Sequence, residues 1–349
     1  MIICSRCRRV HHDGGWRCEC GGPLEIKDER AFEIGELESL SSLWRYRSFI
    51  GTEPVVTFHE GFTPLIEIEN LYYKLDFLFP TGSFKDRGTT VMMSALKAAG
   101  VTNIVEDSSG NAGASVAAYA ARAGIQATIY VPDYASSGKI AQIQAFGAHI
   151  VRVKGTREDT QQAALSRTEE LTYASHQWNP YFLEGMKTVA YEICEQLNWR
   201  APEAVLIPVG SGSLYYGAYK GFKHLKESGI IDEIPLLLGV EPELCSPVYD
   251  ELHGIHKPCG KSIAEGLLVE HPPRLKEIVD VVRNHGDIML VSEAEILRGL
   301  KRAVRMGLYV EPTSAVVLAA SEKIQEREKV VLILTGSGLK AVQELGDLL

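Results

Sequence analysis

The stretch FPTGSFKDRG, residues 79–88, decides the fold that we predict for this chain. It places one lysine, Lys85, between a turn and the expected start of a helix. Most lysines are solvated at the surface, and that interpretation fits a lysine at this position. An amine that is held in place for chemistry fits it as well. The rest of the sequence is needed to distinguish the two interpretations.

Composition and charge exclude several classes of protein. Of the 349 residues, 45% are hydrophobic and 23% are charged, which is typical of a globular chain long enough for two lobes. The net charge of −9 argues against nucleic acid or an anionic membrane as the main partner. The apolar runs are too short to span a membrane, and residues 1–10 lack the apolar stretch of a secretory signal. We therefore expect a cytoplasmic protein.

Four of the seven cysteines lie within the first twenty residues, in a segment that we delimit as residues 1–25. Cys4 and Cys7 are separated by two residues, Cys18 and Cys20 by one, and glycines follow the second pair. Four thiolates in this pattern favour a structural zinc site of the ribbon type, while iron, a lost site and disulfides are the alternatives. The other three are predicted to be small core residues: Cys194, Cys245 and Cys259.

From residue 60 onwards, short β-branched apolar runs alternate with stretches of helical periodicity. The runs lie near residues 103, 127, 149, 204, 236 and 330. This alternation predicts an α/β fold with parallel sheets and helices on both faces. Residues 26–58, which precede it, are expected to form a charged and partly helical connector.

Three glycine-rich loops follow predicted strands, where ligands of such folds bind. Residues 106–115, EDSSGNAGAS, leave backbone N–H groups open for a carboxylate, and Asn111 adds an amide. Residues 208–217, PVGSGSLYYG, resemble a phosphate cradle, but their third glycine is Gly217, so the dinucleotide-binding motif is not met. Residues 334–340, LTGSGLK, place the hydroxyl of Thr335 at the end of the last strand. Each loop alone is equally well explained as a turn or a helix cap.

Together, the lysine and the loops describe one kind of site. They offer an amine, a cradle for a phosphate, a second cradle for a carboxylate and a hydroxyl on a third strand. Pyridoxal 5'-phosphate (PLP) bonded to a lysine, with an amino acid as the small-molecule substrate, fits all four.

The same motifs carry a resemblance that covers the whole chain. The sequence resembles the fold-type II PLP enzymes, whose fold is that of the tryptophan synthase β subunit, and most closely the threonine synthases with an N-terminal zinc ribbon. The motifs that carry it are EGFTPL (60–65), KLDFLFPTGSFKDRG (74–88), SSGNAGAS (108–115), NPYFLEGMKT (179–188), PVGSGS (208–213), EPTSA (311–315) and LTGSGLK (334–340).

This resemblance implies roles for individual residues. Lys85 would form the Schiff base with PLP, Asn111 would hydrogen-bond the phenolic oxygen of PLP, and Thr335 would face its pyridine nitrogen. The substrate carboxylate would bind Ser108, Ser109 and Gly110. The phosphate of PLP would bind the backbone of Gly210, Ser211, Gly212, Ser213 and Leu214.

The resemblance also implies an arrangement of lobes. We expect a small lobe of residues 88–180 and a large lobe of residues 59–87 and 181–349, with the site between them. It further implies a homodimer.

The sequence departs from the threonine synthase pattern where the substrate phosphate would bind. The family commonly has Arg at the position of Phe182, Gln at Met186 and a hydroxyl residue at Ala112. Loss of the Arg removes a bidentate phosphate clamp, and the candidate cations that could replace it are Lys139, His176 and Lys187.

Three functions therefore stay open. The first is elimination of phosphate from O-phosphohomoserine and addition of water to give L-threonine. The second is β-elimination or β-replacement, as in a threonine or serine ammonia-lyase or a synthase that uses an activated serine. The third is a regulatory relative that has kept the fold.

Overall fold

The computed structural model describes residues 1–12, 15–27, 30–135, 137–324 and 327–349. The chain divides into two compact units. The first unit consists of Met1–Glu29, Leu37–Gly61 and Lys85–Gly185, and the second of Arg30–Glu36, Phe62–Phe84 and Met186–Leu349. The segment predicted as a connector, residues 26–58, is thus divided between the two units.

The strands of the described residues form three sheets, and their bounds follow in chain order. They are β1 (Ile2–Cys4), β2 (Val10–His11), β3 (Leu24–Ile26), β4 (Leu65–Ile68), β5 (Leu71–Lys74), β6 (Asn103–Glu106), β7 (Gln126–Pro132), β8 (His149–Val153), β9 (Thr172–Tyr173), β10 (Ala204–Pro208), β11 (Leu236–Pro242), β12 (Gly286–Val291) and β13 (Val330–Ile333).

The α-helices of the same residues alternate with the strands from Lys85 onwards. They are α1 (Lys85–Ala98), α2 (Asn111–Ala123), α3 (Ser137–Ala145), α4 (Arg157–Leu165), α5 (Pro180–Gln196), α6 (Ser213–Glu227), α7 (Pro247–His253), α8 (Leu275–His285), α9 (Glu293–Arg305), α10 (Pro312–Ser321) and α11 (Val342–Leu348). Short 3₁₀ helices occur at Ile34–Glu36, Leu43–Phe49, Asp76–Leu78, Glu265–Leu267 and Gly338–Lys340. Within the described ranges, no helix has the length and apolar character needed to cross a membrane.

Local sequence explains several helix boundaries. Thr156 and Asp159 form a reciprocal capping box at the start of α4, and Ser292 and Glu295 do the same for α9. Helix α2 ends at Gly124, which has the left-handed conformation (φ 65°) that glycine adopts without a steric cost.

The first unit contains a four-stranded sheet of order β8-β7-β6-β9, in which all neighbouring strands are parallel. Strand β6 pairs with β7 on one side and with β9 on the other, and Val105 lies opposite Tyr173. The carboxyl end of β6 and the residues after β9 therefore lie at the same edge of the sheet. The N-terminal strands β1, β2 and β3 form a separate antiparallel sheet of order β2-β1-β3.

The second unit contains a six-stranded sheet of order β12-β11-β10-β13-β5-β4. Its neighbours are parallel except for β4, which lies antiparallel to β5 at the edge. All five residues of β10 are buried, as expected for a central strand of a parallel sheet that is covered on both faces. Helix α10 packs against β10, β11, β12 and β13 and contributes to the core of the unit.

The α/β fold class with parallel sheets is confirmed, and all six strands predicted from apolar runs are present. Strand β12 was not predicted. Its sequence, GDIMLV, contains four consecutive apolar residues, but the run opens with glycine and aspartate and was not singled out as a strand.

The prediction for two of the scattered cysteines is wrong. Cys245 and Cys259 form a disulfide with their Cα atoms 4.3 Å apart. Cys245 follows β11, and Cys259 lies 14 residues further on, past α7. The fold of the intervening segment brings the two residues together, and neither residue carries a local sign of this. Cys194 is buried in α5, as predicted.

Candidate active site

Lys85 is the first residue of α1, as the opening motif predicts, and its side chain is half-buried. The residue after it, Asp86, accepts a hydrogen bond of 2.6 Å from the Ser115 hydroxyl on α2. Ser115 also lies 2.8 Å from the Thr89 hydroxyl. Because these groups are fully buried, they fix the first turn of α1 against α2 and so restrict where Lys85 can point.

A close approach between α1 and the start of α5 fixes the same turn from a second side. A side chain at Gly88 would place its Cβ 2.5 Å from the ring of Phe182. A Cβ at Gly185 would lie 2.0 Å from the carbonyl oxygen of Arg87. Both glycines are therefore required by packing. Phe182 is 1% exposed and fills this contact, so it is a packing residue of the first unit.

The loop of residues 108–110 leads directly from β6 into α2. Among the described residues, no side chain caps the first turn of α2 at Gly110. A Cβ at Gly113 would lie 1.9 Å from the carbonyl oxygen of Ser108, so the helix can start this close to the loop only with glycine there. Ser108 is buried, and Ser109 and Asn111 are half-buried. The loop thus has the geometry of an anion site at a helix N-terminus.

Two acidic side chains at the end of β6 pair with groups at the end of β9 and just after it. The hydroxyl of Tyr173 donates to Asp107 Oδ1 over 2.6 Å, and Nδ1 of His176 lies 2.6 Å from Glu106 Oε1. All four side chains are buried. Sequence analysis named His176 only as a candidate cation and missed its partner, because the two residues are 70 positions apart.

The buried position of these groups changes their proton affinity. Burial raises the pKa of Glu106 well above its ordinary value, and the neighbouring Asp107 charge adds to the rise. Burial lowers the pKa of His176 well below its ordinary value, and the positive charges of Lys85 and Arg157 lower it further. His176 is therefore neutral near pH 7 and does not act as a free cation.

The second unit contains the predicted phosphate cradle at the start of α6. Gly212 precedes the helix in the left-handed conformation (φ 77°), and no described side chain caps the first turn. A Cβ at Gly210 would lie 3.1 Å from the Gly266 carbonyl oxygen, so this loop is also closely packed. Ser211 and Ser213 are buried with their hydroxyl oxygens 3.4 Å apart, whereas the Leu214 side chain lies in the core. Only the backbone of Leu214 can contribute to an anion site.

Thr335 lies two residues beyond the end of β13 and is buried. Its hydroxyl is 3.1 Å from the hydroxyl of Ser314, which also accepts hydrogen bonds from the backbone N–H of Thr335 (2.9 Å) and of Gly336 (2.8 Å). The Ser314 hydroxyl thereby fixes the turn after β13. The end of this strand carries a neutral hydroxyl held in one position.

The four N-terminal cysteines converge on one point. Their Sγ atoms all lie within 4.8 Å of one another. Cys4 is 3.5 Å from Cys20, and Cys7 is 3.6 Å from Cys18. A tetrahedral zinc with bonds of about 2.3 Å separates its sulfurs by about 3.8 Å. The cluster therefore has the dimensions of such a site.

The other residues named for the substrate phosphate site are Met186, Ala112, Lys187 and Lys139. Met186 is fully buried, and a Cβ at Gly217 would lie 2.3 Å from its side chain, so it packs α5 against α6. Ala112 and Lys187 are also buried. The side chain of Lys139 lies outside the described residues.

Comparison with known proteins identifies the family. A model of the pyridoxal-phosphate dependent enzymes matches residues 56–336. The chain is 34% identical to a threonine synthase of Methanocaldococcus jannaschii, over 93% of this chain and 88% of that protein. It is 36% identical to a threonine synthase of a Bacillus species (strain ULM1), over 85% of this chain and 89% of that protein.

Solved structures agree with this assignment. A serine racemase from Dictyostelium discoideum has a TM-score of 0.69 and 27% identity, covering 79% of this chain and 92% of that one. Maize serine racemase, at 24% identity and a TM-score of 0.73, covers 89% of this chain and 98% of that one and supports the fold. The chain therefore belongs to the pyridoxal-phosphate dependent enzyme family and is a lyase similar to the threonine synthases.

Proposed function

We propose that this enzyme eliminates phosphate from O-phosphohomoserine and adds water to give L-threonine. The observation that carries the proposal is the similarity to threonine synthases at 34–36% identity over 85–93% of the chain. The four converging cysteines at the N-terminus support it, since the threonine synthases that the sequence resembles carry a ribbon there.

Several of the residues described above each suit one part of PLP. Lys85 would hold the cofactor through its amine, and Asn111, at the start of α2, would bind the phenolic oxygen. The uncapped first turn of α6 and the left-handed Gly212 suit the phosphate, which residues 210–214 would bind through their backbone. The fixed hydroxyl of Thr335 would meet the pyridine nitrogen.

The remaining chemistry is divided among the chain's own residues. PLP, when bound, supplies the electron-withdrawing group that makes the substrate Cα–H acidic. Ser108, Ser109 and Gly110 hold the substrate carboxylate at the start of α2, and the Lys85 amine takes and returns the proton at Cα. Thr335 presents a neutral hydroxyl, which does not keep the ring nitrogen protonated. The weaker electron sink that results favours loss of a leaving group over transamination.

The second candidate function is β-elimination or β-replacement on a smaller amino acid. Phe182 favours it, because an apolar packing residue stands where the threonine synthase pattern has an arginine that could bind the substrate phosphate. The same experiment tests both candidates. Purified, PLP-loaded enzyme is supplied with O-phosphohomoserine, and inorganic phosphate and threonine are measured. In parallel it is supplied with threonine and serine, and keto acid is measured.

The proposed function requires phosphate and threonine to appear in equal amounts. Keto acid from threonine or serine, without phosphate release from O-phosphohomoserine, would replace it by the second candidate. A protein that binds PLP and turns over none of these substrates would contradict both.

The cysteine cluster would hold a structural zinc. Cys4, Cys7, Cys18 and Cys20 supply four thiolates at the separations that a tetrahedral ion requires. Elemental analysis of the purified protein should give a single zinc ion per chain, and replacement of Cys18 by Ser should reduce this content. A metal-free wild-type protein with four free thiols would contradict the zinc site.

We further propose that the enzyme is a cytoplasmic homodimer that acts on a small molecule and not on nucleic acid. The net charge of −9 supports the absence of nucleic acid as a partner. Light scattering of the purified protein measures the mass in solution, and a monomer over the working concentration range would contradict the dimer.

A further inference from the structure

Lys340, the last residue of the LTGSGLK motif, has no part in the proposed function as stated so far. Its side chain is half-buried, and its ammonium group donates a hydrogen bond of 2.7 Å to the carbonyl oxygen of Thr81. Thr81 lies four residues before Lys85, in the turn that leads into α1. The contact therefore joins a loop near the end of the chain to the turn that precedes the candidate cofactor lysine.

The turn is shaped to accept this lysine. It is closed by a hydrogen bond of 2.8 Å from the N–H of Gly82 to the carbonyl oxygen of Phe79. Gly82 has φ 78°, and a Cβ added there would lie 3.2 Å from Cδ of Lys340. The aliphatic part of Lys340 thus lies directly against the Cα of Gly82. The lysine is packed on the turn along its length and does not merely touch it with its charged end.

Backbone pairing carries the position of the turn on to Lys85. The segment after the turn lies antiparallel to the loop after β13, with Ser83 opposite Gly336. The N–H of Phe84 donates to the carbonyl oxygen of Thr335 over 2.9 Å. Because Phe84 is bonded to Lys85, the place where the turn is held decides where the backbone of Lys85 begins.

The loop that carries Lys340 is fixed by contacts that do not involve the turn. The Ser314 hydroxyl accepts a hydrogen bond of 2.9 Å from the N–H of Thr335, and the N–H of Gly338 donates to the carbonyl oxygen of Tyr309 over 3.0 Å. Loss of the Lys340 ammonium group would therefore loosen the turn and leave the loop in place.

We propose that Lys340 is a positioning residue, which holds the turn of residues 79–84 so that the Lys85 amine can bond to the aldehyde of PLP. In that bonding the Lys85 nitrogen replaces the aldehyde oxygen, which leaves as water. Formation of such a bond requires the two groups to be closely aligned, and a hydrogen bond from an ammonium group is among the stronger contacts that can enforce this. The inference deepens the proposed function. It rests on that function only for the attachment of PLP to Lys85, so it holds for either candidate reaction.

The test separates bonding to Lys85 from binding of the rest of the cofactor. Pyridoxamine 5'-phosphate has the ring and the phosphate of PLP but an amine in place of the aldehyde, so it cannot bond to a lysine. Each compound is titrated into full-length protein from which PLP has been removed, and binding is followed by absorbance.

Lys340→Met keeps most of the aliphatic chain and removes the ammonium group. We expect its dissociation constant for PLP to rise about tenfold, which corresponds to the loss of one hydrogen bond from a charged group. Its dissociation constant for pyridoxamine 5'-phosphate should stay within about twofold of wild type, because the loop after β13 and the start of α6 are unchanged. Lys340→Arg retains a cationic donor, so its loss of PLP affinity should be smaller than that of Lys340→Met.

Lys323→Met is the matched control. Lys323 Nζ donates to the carbonyl oxygen of Leu290 over 2.8 Å, so this variant removes an ammonium–carbonyl hydrogen bond of similar length elsewhere in the second unit. Both of its dissociation constants should equal those of wild type. Circular dichroism of each variant establishes that it is folded.

The outcomes separate this inference from the proposed function. If Lys340→Met loses affinity for both compounds equally, or binds PLP as wild type does, the inference is wrong. Borohydride reduction of the wild-type PLP complex and peptide mapping identify the bonded lysine. PLP found on Lys340 would overturn the inference, and PLP found on neither Lys85 nor Lys340 would overturn the proposed role of Lys85 as well. Failure to release phosphate from O-phosphohomoserine would overturn the proposed reaction alone, because both titrations are independent of turnover.

Discussion

Trp16 packs edge-on against Tyr173, with ring centroids 5.2 Å apart and ring planes at 88°. Trp16 lies between the two cysteine pairs of the N-terminal cluster, and it also meets Trp178 edge-on at 5.2 Å. Since the Tyr173 hydroxyl bonds to Asp107, the cysteine-rich segment is connected through one aromatic contact to the strand end that carries Glu106. Edge-to-face contacts of this kind stabilise beyond the area that they bury.

Replacing Trp16 by Ala should therefore lower the free energy of unfolding by about 2 kcal/mol, less than for a fully buried tryptophan because this side chain is half-buried. Urea unfolding of the metal-loaded protein measures the change. Trp16→Phe, which keeps an aromatic ring in the contact, is the control and should retain most of the stability. Equal losses in the two variants would show that the ring contact is unimportant.

Replacing Lys85 by Ala should abolish turnover, with a loss of at least about 10³-fold, because it removes the amine that is proposed to exchange the proton at Cα. The fold should be kept, since the backbone of α1 is fixed by Asp86 and Gly88. Product formation and circular dichroism are measured together. Lys97→Ala, at the exposed last turn of the same helix, is the control and should retain activity. Turnover within tenfold of wild type in Lys85→Ala would refute the role of this lysine.

Replacing Gly212 by Ala should weaken PLP binding at least about tenfold. The residue has φ 77°, which strains alanine, and the new Cβ would lie 2.0 Å from Ile278 Cδ1, so the Ile278 side chain or the loop before α6 must move. PLP affinity is measured by titrating the cofactor into apoenzyme and following its absorbance.

Gly229→Ala is the matched control for the backbone. Gly229 has a similar φ of 72°, but in the described part of the chain a Cβ there meets no atom within 4 Å. Both variants carry the strain of a left-handed alanine, so both should lose stability. Only Gly212→Ala should lose affinity for PLP, and a similar loss in Gly229→Ala would contradict a phosphate site at residue 212.

The stability of the protein should depend on pH through Glu241, at the end of β11. Burial raises the pKa of this carboxyl from 4.5 to about 8, even though the N–H groups of Val248 and Tyr249 donate to it. Between these two values the unfolded chain has lost the proton and the folded chain still holds it. The contribution of Glu241 to the free energy of unfolding therefore falls as pH rises from about 4.5 to 8.

Glu241→Gln removes this titration, so its stability relative to wild type should increase over the same pH range. Urea unfolding at several pH values measures the difference. Glu251→Gln, which changes an exposed carboxylate on α7, is the control and should run parallel to wild type. A constant difference between Glu241→Gln and wild type would show that Glu241 does not titrate in this range.

Much of the fold and of the candidate site could be predicted from the sequence because the signals are local. Lys85 follows a turn and starts a helix, the glycine loops follow apolar strands, and the cysteines lie close together in the chain. The sequence also showed that Phe182 stands where the threonine synthase pattern has Arg, but it did not show what the phenylalanine ring does in the fold. In the structure, the ring fills the contact over Gly88.

By itself, the sequence determined the α/β class, the position of Lys85 and the likeness to PLP enzymes, since each depends on residues within a few positions of one another. Only the tertiary structure decided which distant side chains meet: Glu106 with His176, Cys245 with Cys259, and Trp16 with Tyr173. The physical reason is the strand order. Parallel pairing of β6 with β9 brings together, at one edge, residues that lie 70 positions apart in the chain, and no local pattern encodes that neighbour.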